Sequence, residues 1–148
     1  MADIRHRVGV YASQKKVYET VSTIAGLSQW WTRDVRGDAD KQLEFYFGGD
    51  KPGAVMRVAE RVPFERVVWE CVDGPGEWVG TTLTFDLRPG PKEEETVVKF
   101  THTDWREPVQ FMHHCSTRWA QFLIGLKTGL EGGGWQPHPV MPAVSSWN

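Results

Sequence analysis

The spacing of apolar residues between positions 108 and 131 predicts one long amphipathic helix. Its apolar positions recur three or four residues apart, at Phe111, Cys115, Trp119, Phe122, Leu126 and Leu130. This spacing forms a single stripe along a helix of about 3.6 residues per turn, and the stripe must pack against another layer of the protein. We expect Pro108 in the first turn, because the N–H groups there have no partner within the helix and the N–H that proline lacks is not needed. We expect the three glycines at 132–134 to end the helix.

Alternating apolar and polar residues predict about seven strands before that helix. The first strand, near residues 5–11, precedes two short helices, one at 14–21 with Ser13 as N-cap and one that Thr23 caps. About six strands follow, separated by turns rich in Gly, Pro and Asp, and this regular spacing indicates an antiparallel meander. The predicted fold class is α+β. A curved antiparallel sheet of six to seven strands wraps around the long C-terminal helix.

Composition and charge narrow the class of protein. A chain of 148 residues fits one domain, at residues 1–132, followed by a tail at 133–148 that is rich in Gly and Pro. The net charge of −2 and the lack of a basic stripe argue against a nucleic-acid partner. No apolar run reaches the ~20 residues of a membrane span, and residues 1–7 lack a signal-peptide core. Two cysteines are too few for a disulfide framework, so we predict a reducing, cytoplasmic location.

Eight tryptophans are many for a chain of this length, and several of them suit a partly polar cavity as well as a core. On the strand near residue 69, Trp69 and Cys71 share the inward face, because Glu70 on the other face would be costly to bury. The same alternation on the other strands and the apolar stripe of the long helix give further inward-facing residues. Together with two tryptophans at one end of the predicted core, they form the set of candidate ligand-binding residues. The set is Trp30, Trp31, Phe45, Phe47, Trp69, Cys71, Leu83, Phe85, Phe100, His102, Phe111, Cys115, Trp119, Phe122 and Leu126.

A filled core is the alternative for each of these residues, because aliphatic and phenyl side chains are ordinary core residues. A filled core is the favoured interpretation at Phe45, Leu83, Phe85 and Leu126. Trp69, Trp119 and His102 suit a cavity equally well, since their N–H groups require partners and ligand sites combine aromatic walls with a few polar groups. Trp30 and Trp31 could instead form a surface plug that holds the short helices.

Catalytic and metal chemistry have few candidate groups. His102 is the candidate acid/base, with Asp104 as its orienting partner if the strand continues regularly that far. Cys71 and Cys115 could supply a thiol nucleophile, although a buried cysteine is more often a small hydrophobic residue. The one pair of adjacent histidines, on the long helix, would point about 100° apart. No CxxC or HxxxH spacing occurs, so we predict no metal and no cofactor.

A family resemblance rests on five short motifs taken together. They are Trp30-Trp31 after the early helices, PFERVVW at 63–69, GT at 80–81 leading into LTF at 83–85, ETVV at 95–98 with a strand ending in His102, and the run from Trp119 to Gly132. In this order they resemble the START-like (SRPBCC) helix-grip superfamily. Within this superfamily, the motifs resemble the AHSA-like branch, which is similar to the C-terminal domain of the activator of the 90-kDa heat-shock chaperone's ATPase. The resemblance covers residues 4–132 and implies a seven-stranded antiparallel sheet gripping the C-terminal helix, with a cavity between them.

The resemblance does not settle function, because members of that superfamily have different roles. They include carriers of lipids and hormones, aromatase/cyclase enzymes that act on polyketides, and small bacterial proteins without an assigned role. The activator itself has a further N-terminal domain, which this chain is too short to hold.

We expect this chain to bind a hydrophobic or aromatic small molecule between sheet and helix. The residues that we expect to contribute most are Trp69, Phe100, His102, Trp119 and Phe122. Two alternatives stay open: a polyketide cyclase-like enzyme that uses His102 as acid/base, and a chaperone-associated protein-interaction module of the stress response. An enzyme is the less favoured class. A homodimer is compatible with the sequence, and the tail could cover a neighbouring copy or the mouth of the cavity.

Overall fold

Seven antiparallel strands and three helices form the part of the protein, residues 2–147, that a computed structural model describes. The elements are β1 Ala2–Val10, α1 Gln14–Ser22, α2 Ile24–Trp30, β2 Asp34–Asp38, β3 Gln42–Tyr46, β4 Ala54–Val62, β5 Arg66–Asp73, β6 Thr82–Pro89, β7 Thr96–Trp105 and α3 Gln110–Leu130. The strand order across the sheet is β1-β7-β6-β5-β4-β3-β2. Strands β2 to β7 therefore form a meander, and β1 pairs with β7 at the edge of the sheet opposite β2. The predicted α+β fold is confirmed.

The two short helices begin at the caps that the sequence predicts. The Ser13 hydroxyl accepts a hydrogen bond from the Lys16 N–H, and the Thr23 hydroxyl accepts one from the Gly26 N–H, each at 3.0 Å. Gly26 lets α2 approach α1 closely, because a Cβ there would lie 2.5 Å from the Cα of Thr20. The two helices therefore pack tightly and direct the end of α2 into the core.

The long helix differs from the prediction at its start. Val109 is its N-cap, with extended backbone, so Pro108 precedes the helix instead of occupying its first turn. Proline fixes only its own φ, and the next residue is free to stay extended. Gly132, with a φ of +90°, ends the helix in the predicted left-handed conformation. Within residues 2–147, no helix combines the length and the hydropathy that a membrane span requires.

Strand parity correctly predicts the burial of Trp69 and Phe100, but not that of Tyr46 and Val68, which are buried on the predicted outer face. Trp69 and Phe100 are at most 1% exposed, whereas Glu70 faces outward and forms an ion pair with Arg57 at 2.6 Å. Buried aromatic rings from neighbouring strands then pack against one another, as at Phe85 and Phe100, whose tilted rings have centroids 5.1 Å apart. The core between the sheet and α3 is therefore largely aromatic.

Residues 131–147, which follow α3, lie against the helix and form no helix or strand of their own. Trp135 packs on Gly129, where a Cβ would collide with the indole ring, and Met141 packs on Gly125. The backbone N–H of His138 donates to the carbonyl of Trp31 at 2.9 Å, which ties this segment to the end of α2. The division of the chain at residue 132 stays a prediction. Its outer limits, residues 1 and 148, lie outside the described residues.

Candidate functional site

A cavity of about 440 Å³ lies between the N-terminal half of α3, the β3–β4 loop, the β5–β6 loop and the C-terminal tail. Aromatic rings make up most of its wall. The lining residues are Trp31, Phe47, Gly53, Ala54, Pro75, Trp78, Phe111, His114, Cys115, Arg118, Trp119, Phe122, His138 and Trp147.

The structure brings together only part of the predicted ligand-binding set. On the wall of the cavity are Trp31, Phe47, Phe111, Cys115, Trp119 and Phe122. In the packed core beside it are Trp30, Phe45, Trp69, Cys71, Leu83, Phe85, Phe100, His102 and Leu126, all of them buried. The space between the middle of the sheet and the helix is therefore filled, and the cavity is displaced toward the loops and the tail.

Trp31 is the side chain that fills this space. It is 1% exposed and directly follows α2, whose close contact with α1 directs it inward. Its ring centroid lies 4.1 Å from that of Phe45, 6.1 Å from that of Trp69 and 4.9 Å from that of Trp119. One face of Trp31 therefore belongs to the core, and the residue also forms part of the cavity wall.

His102 stands behind the cavity wall in a closed hydrogen-bond network. The indole N–H of Trp119 donates to Nδ1 of His102 at 3.2 Å, and Nε2 of His102 lies 2.8 Å from the hydroxyl of Thr81. Because an indole N–H can only donate, the proton of the imidazole is on Nε2, which donates to Thr81. The Thr81 hydroxyl in turn donates to the carbonyl of Trp78 at 2.6 Å. The network thus connects two tryptophans of the wall, whose rings are stacked 5.9 Å apart.

This environment does not favour acid–base chemistry at His102. The residue is 0% exposed, and burial lowers the pKa of its imidazole to about 3. Both ring nitrogens already have partners. Asp104 adopts a left-handed φ of 71°, and the next residue, Trp105, packs beside the imidazole with ring centroids 5.0 Å apart. Because the end of β7 is irregular, the side chain that packs beside His102 is the indole ring of Trp105 and not the carboxylate of Asp104.

The two thiols are also poorly suited to nucleophilic chemistry. Burial raises the pKa of Cys115 to about 12, an effect that the neighbouring indole N–H of Trp78 only partly opposes. Burial likewise raises the pKa of Cys71 to about 11, and this thiol donates to the carbonyl of Asp73 at 3.3 Å. A thiolate is the reactive form of cysteine, so both residues serve better as small buried side chains.

The indole N–H of Trp78 has only a weak acceptor among residues 2–147. Its indole N–H is buried and has no nitrogen or oxygen acceptor among residues 2–147. The sulfur of Cys115, beside it, is a weak acceptor. A buried donor without an acceptor is unfavourable by roughly 1–3 kcal/mol. The N–H of Trp78 therefore faces Cys115 inside the wall, and the apolar part of the indole ring lines the cavity.

Basic side chains lie on the same wall. Arg118 donates to the side-chain oxygen of Gln121 at 2.5 Å and to the carbonyl of Pro142 at 2.8 Å. Desolvation lowers the pKa of His114 and of His138, and the positive charge of Arg118 lowers both further. The field of the guanidinium therefore reaches both imidazoles.

The C-terminal tail completes the wall on this side. Nδ1 of His114 lies 2.6 Å from the hydroxyl of Ser145. The Trp147 ring packs edge-on against Phe111 and His114, with centroids 5.7 and 5.6 Å away, and His138 packs against Phe47 at 5.2 Å. The tail thus contributes side chains to the cavity, as well as covering α3.

Sequence reasoning missed eight lining residues, namely Gly53, Ala54, Pro75, Trp78, His114, Arg118, His138 and Trp147. Two signals were available for four of them. His114 follows Phe111 by three residues, and Arg118 follows Cys115 by three, which places each pair on one side of the helix. Trp78 and Trp147 are large aromatic residues in segments rich in turn residues. The remaining four have no local signature.

Comparison with known proteins places this architecture in a family. The sequence model of the family described as Activator of Hsp90 ATPase homolog 1-like protein matches residues 11–131. The Aha1 dimer from Colwellia psychrerythraea, a solution structure, is 39% identical to this chain. The match covers 90% of this chain and 98% of that one, with a TM-score of 0.79. No curated protein shows a significant match.

More distant solved structures share the fold alone. CalU16 from Micromonospora echinospora, as a crystal structure, is 18% identical, with 94% of this chain and 78% of that chain covered and a TM-score of 0.72. DynU16, a protein of the dynemicin biosynthetic locus, is 21% identical, with 89% of this chain and 48% of that chain covered and a TM-score of 0.71.

Proposed function

Since the chain belongs to the Activator of Hsp90 ATPase homolog 1-like family, we propose that it uses the cavity of this fold to bind a small hydrophobic or aromatic molecule. The observation that carries the proposal is the aromatic cavity of about 440 Å³. Protein interiors hold few voids larger than a water molecule, whose share of liquid volume is about 30 Å³. Small-molecule sites, in contrast, are typically clefts of roughly 300–1,000 Å³ with mainly apolar walls.

The rigidity of the wall also supports binding. The indole N–H of Trp119 is bonded to His102 from behind, and the ring of Trp78 packs edge-on against the same imidazole with centroids 5.0 Å apart, so both rings need little ordering when a ligand enters. A preorganised site loses less conformational entropy on binding than a flexible one, and more of the apolar contact energy remains as affinity. The stacked indoles offer flat surfaces, which suit a planar or ring-containing ligand.

Native mass spectrometry against fatty acids, sterols, flavonoids and polyketide-like aromatics tests this function. We expect saturable one-to-one binding of at least one of these classes, accompanied by a change in tryptophan fluorescence. Cys115→Phe should abolish this binding, because the larger ring would occupy the cavity from the wall formed by α3. The absence of any complex across the panel would contradict the proposal.

Ile124→Phe is the matched control for the cavity-filling variant. Ile124 lies on the same helix but is 57% exposed and does not line the cavity. The same aromatic ring at this position should leave affinity unchanged. Equal affinity in the wild type and in folded Cys115→Phe would show that the ligand binds elsewhere.

A second candidate function is contact with a chaperone, favoured by the family name and by the 39% identity to Aha1. We propose that this chain contacts an Hsp90-type chaperone through its surface, and that it forms a homodimer, as the Colwellia protein does in solution. The reduced, buried thiols of Cys71 and Cys115 fit the cytoplasmic location that we propose.

The chaperone's ATPase rate, measured with and without this protein, tests the second function. We expect a changed rate that Cys115→Phe preserves, because Cys115 is buried and its substitution leaves the exposed surface unaltered. An unchanged rate at saturating protein would contradict it. Sedimentation velocity over a range of concentrations tests the homodimer, and a constant monomer mass would exclude it.

A further inference from the structure

We propose that residues 143–147 form a lid over the cavity, with Trp147 as the side chain that closes it. The lid would swing outward at Pro142 when a small molecule enters or leaves, and the tail before Pro142 would stay in place. The inference rests on the small-molecule binding proposed above and adds how access to that site is controlled.

The tail up to Pro142 is fixed to the body of the protein. The backbone N–H of Arg33 donates to the carbonyl of His138 at 3.2 Å. The side chains of Arg118 and Gln121 donate to the carbonyl of Pro142 at 2.8 and 2.9 Å. Pro142 is therefore held on α3, and a movement that starts beyond it need not disturb the tail before it.

Residues 143–147 lie more loosely on the protein. All of them are exposed except Val144, which is half-buried. A cleft of about 440 Å³ lies between residues 144–147 and the first two turns of α3. Segments with few buried contacts open at a small cost in free energy, and the lids of binding sites are drawn from such segments.

Trp147 stands at the boundary between the cavity and solvent. Of the large apolar side chains on the cavity wall, all of which belong to the described chain, it alone is exposed, at 53%. Its ring packs edge-on against Phe111 and His114 at the start of α3, and the hydroxyl of Ser145 lies 2.6 Å from Nδ1 of His114. These contacts join the lid to the wall, so their loss would open the cavity from this side.

Binding kinetics distinguish a lid from an ordinary contact. The loss of a residue that only contacts the ligand changes mainly the dissociation rate constant, whereas a lid limits entry and exit alike. In stopped-flow mixing with N-phenyl-1-naphthylamine, a neutral fluorescent probe, we expect Trp147→Ala to bind and release the probe each about tenfold faster, since two aromatic contacts of the closed lid are lost. The Kd should change less than either rate constant. Rate constants equal to those of the wild type, or faster dissociation alone, would overturn the inference.

The thiol of Cys115 measures access to the cavity without any ligand. Cys115 lies on the cavity wall and is 4% exposed, whereas Cys71 is 2% exposed in the core beside the cavity. At one pH, we expect iodoacetamide to modify Cys115 about tenfold faster in Trp147→Ala than in the wild type, and Cys71 equally slowly in both. Faster modification of both thiols would show a general loosening of the fold and would contradict a lid.

Two further variants separate the lid from general effects of substitution in the tail. Trp147→Phe keeps a ring that can pack on the same two neighbours, so all these rates should stay within about threefold of the wild type. Val140→Ala is the matched control, at a residue before Pro142 that is 45% exposed and does not line the cavity, and it should change none of them. Rates raised equally in Val140→Ala and Trp147→Ala would rule out a lid that begins at Pro142.

The outcomes also separate the lid from the function on which it rests. If the probe binds and Cys115→Phe abolishes the complex, but Trp147→Ala changes neither the probe kinetics nor the modification of Cys115, the binding function stands and the lid is wrong. If Cys115 alone becomes accessible in Trp147→Ala and no molecule of the panel binds, the lid is retained and the binding function fails.

Discussion

His102 is the residue on which the cavity wall depends, although it does not line the cavity itself. It accepts the N–H of Trp119 and, through Thr81, holds the carbonyl of Trp78. A polar network in which every member has a partner fixes the geometry of a dry core. The sequence presented His102 as an acid/base candidate, but the closed network and the low pKa favour a positioning role.

The depressed pKa of His102 makes the stability of the protein depend on pH. The folded-state pKa of about 3 lies below the ordinary value of 6.5, so between these values the unfolded chain binds more protons than the folded one. The stabilising contribution of His102 to the free energy of unfolding is therefore fully present above the ordinary pKa of 6.5, and it decreases as the pH falls below that value. Between pH 7 and pH 5 we expect this group to account for a loss of about 2 kcal/mol, measured by urea denaturation.

His102→Gln is the control for this prediction, because an amide can bond to the same two partners without titrating near neutral pH. The loss of stability between the two pH values should be about 2 kcal/mol smaller in the variant. The lowered pKa values of His114 and His138 affect both proteins alike and cancel in the comparison. An equal loss in both proteins would show that burial of His102 does not control the pH dependence.

Two glycines of α3 determine how the helix and the tail meet. Gly125 and Gly129 are one turn apart, and Met141 and Trp135 pack on the surface that they leave open. A Cβ at Gly129 would collide with the indole ring of Trp135. At Gly125 it would lie 3.1 Å from the end of the flexible Met141 side chain. The two positions therefore differ in how much a methyl group would disturb the tail.

Gly129→Ala should detach the tail, whereas Gly125→Ala should not. Alanine favours the helix by about 1 kcal/mol at either position. Only at 129 does the methyl group collide with the half-buried ring of Trp135, and we expect the lost packing of this ring to outweigh that gain. Thermal unfolding and limited proteolysis of residues 132–147 measure the two effects.

We expect a lower Tm and faster cleavage of the tail in Gly129→Ala. Gly125→Ala should be cleaved as slowly as the wild type, with a Tm that is equal or slightly higher. Equal protection of the tail in both variants would show that the Trp135 contact does not hold it.

Local patterns predicted the elements well, because alternation and helical spacing are properties of a single segment. Parity placed Phe45, Trp69 and Phe100 on the buried face without knowledge of their neighbours. The position of a cavity depends instead on how segments far apart in the sequence meet. Nothing in the local pattern of the two loops reveals that they reach α3.

Trp31 shows this limit most clearly. Its place after α2 suggested one end of the core, but the close approach that Gly26 permits turns the end of that helix inward. The indole then packs between Phe45 and Trp119 and fills the space in which a cavity was predicted. Such a displacement follows from tertiary packing, which no periodicity encodes.

In the whole molecule, the cavity joins the family domain to the tail. Twelve of the fourteen lining residues fall within residues 11–131, which match the family, and two, His138 and Trp147, come from beyond them. The segment that matches the family therefore supplies most of the wall, and residues beyond it line one side. Ligand binding should change the environment of residues in both parts at once.

The most direct test of binding in this cavity follows the indole N–H resonances of the tryptophans by NMR during titration with the tightest-binding molecule of the panel. Single Trp→Phe variants assign the resonances. We predict the largest shifts for the wall residues Trp31, Trp78, Trp119 and Trp147. Trp69 and Trp105, which lie outside the wall, should shift less. Larger shifts at these two core residues, or none at saturating ligand, would contradict a ligand site in this cavity.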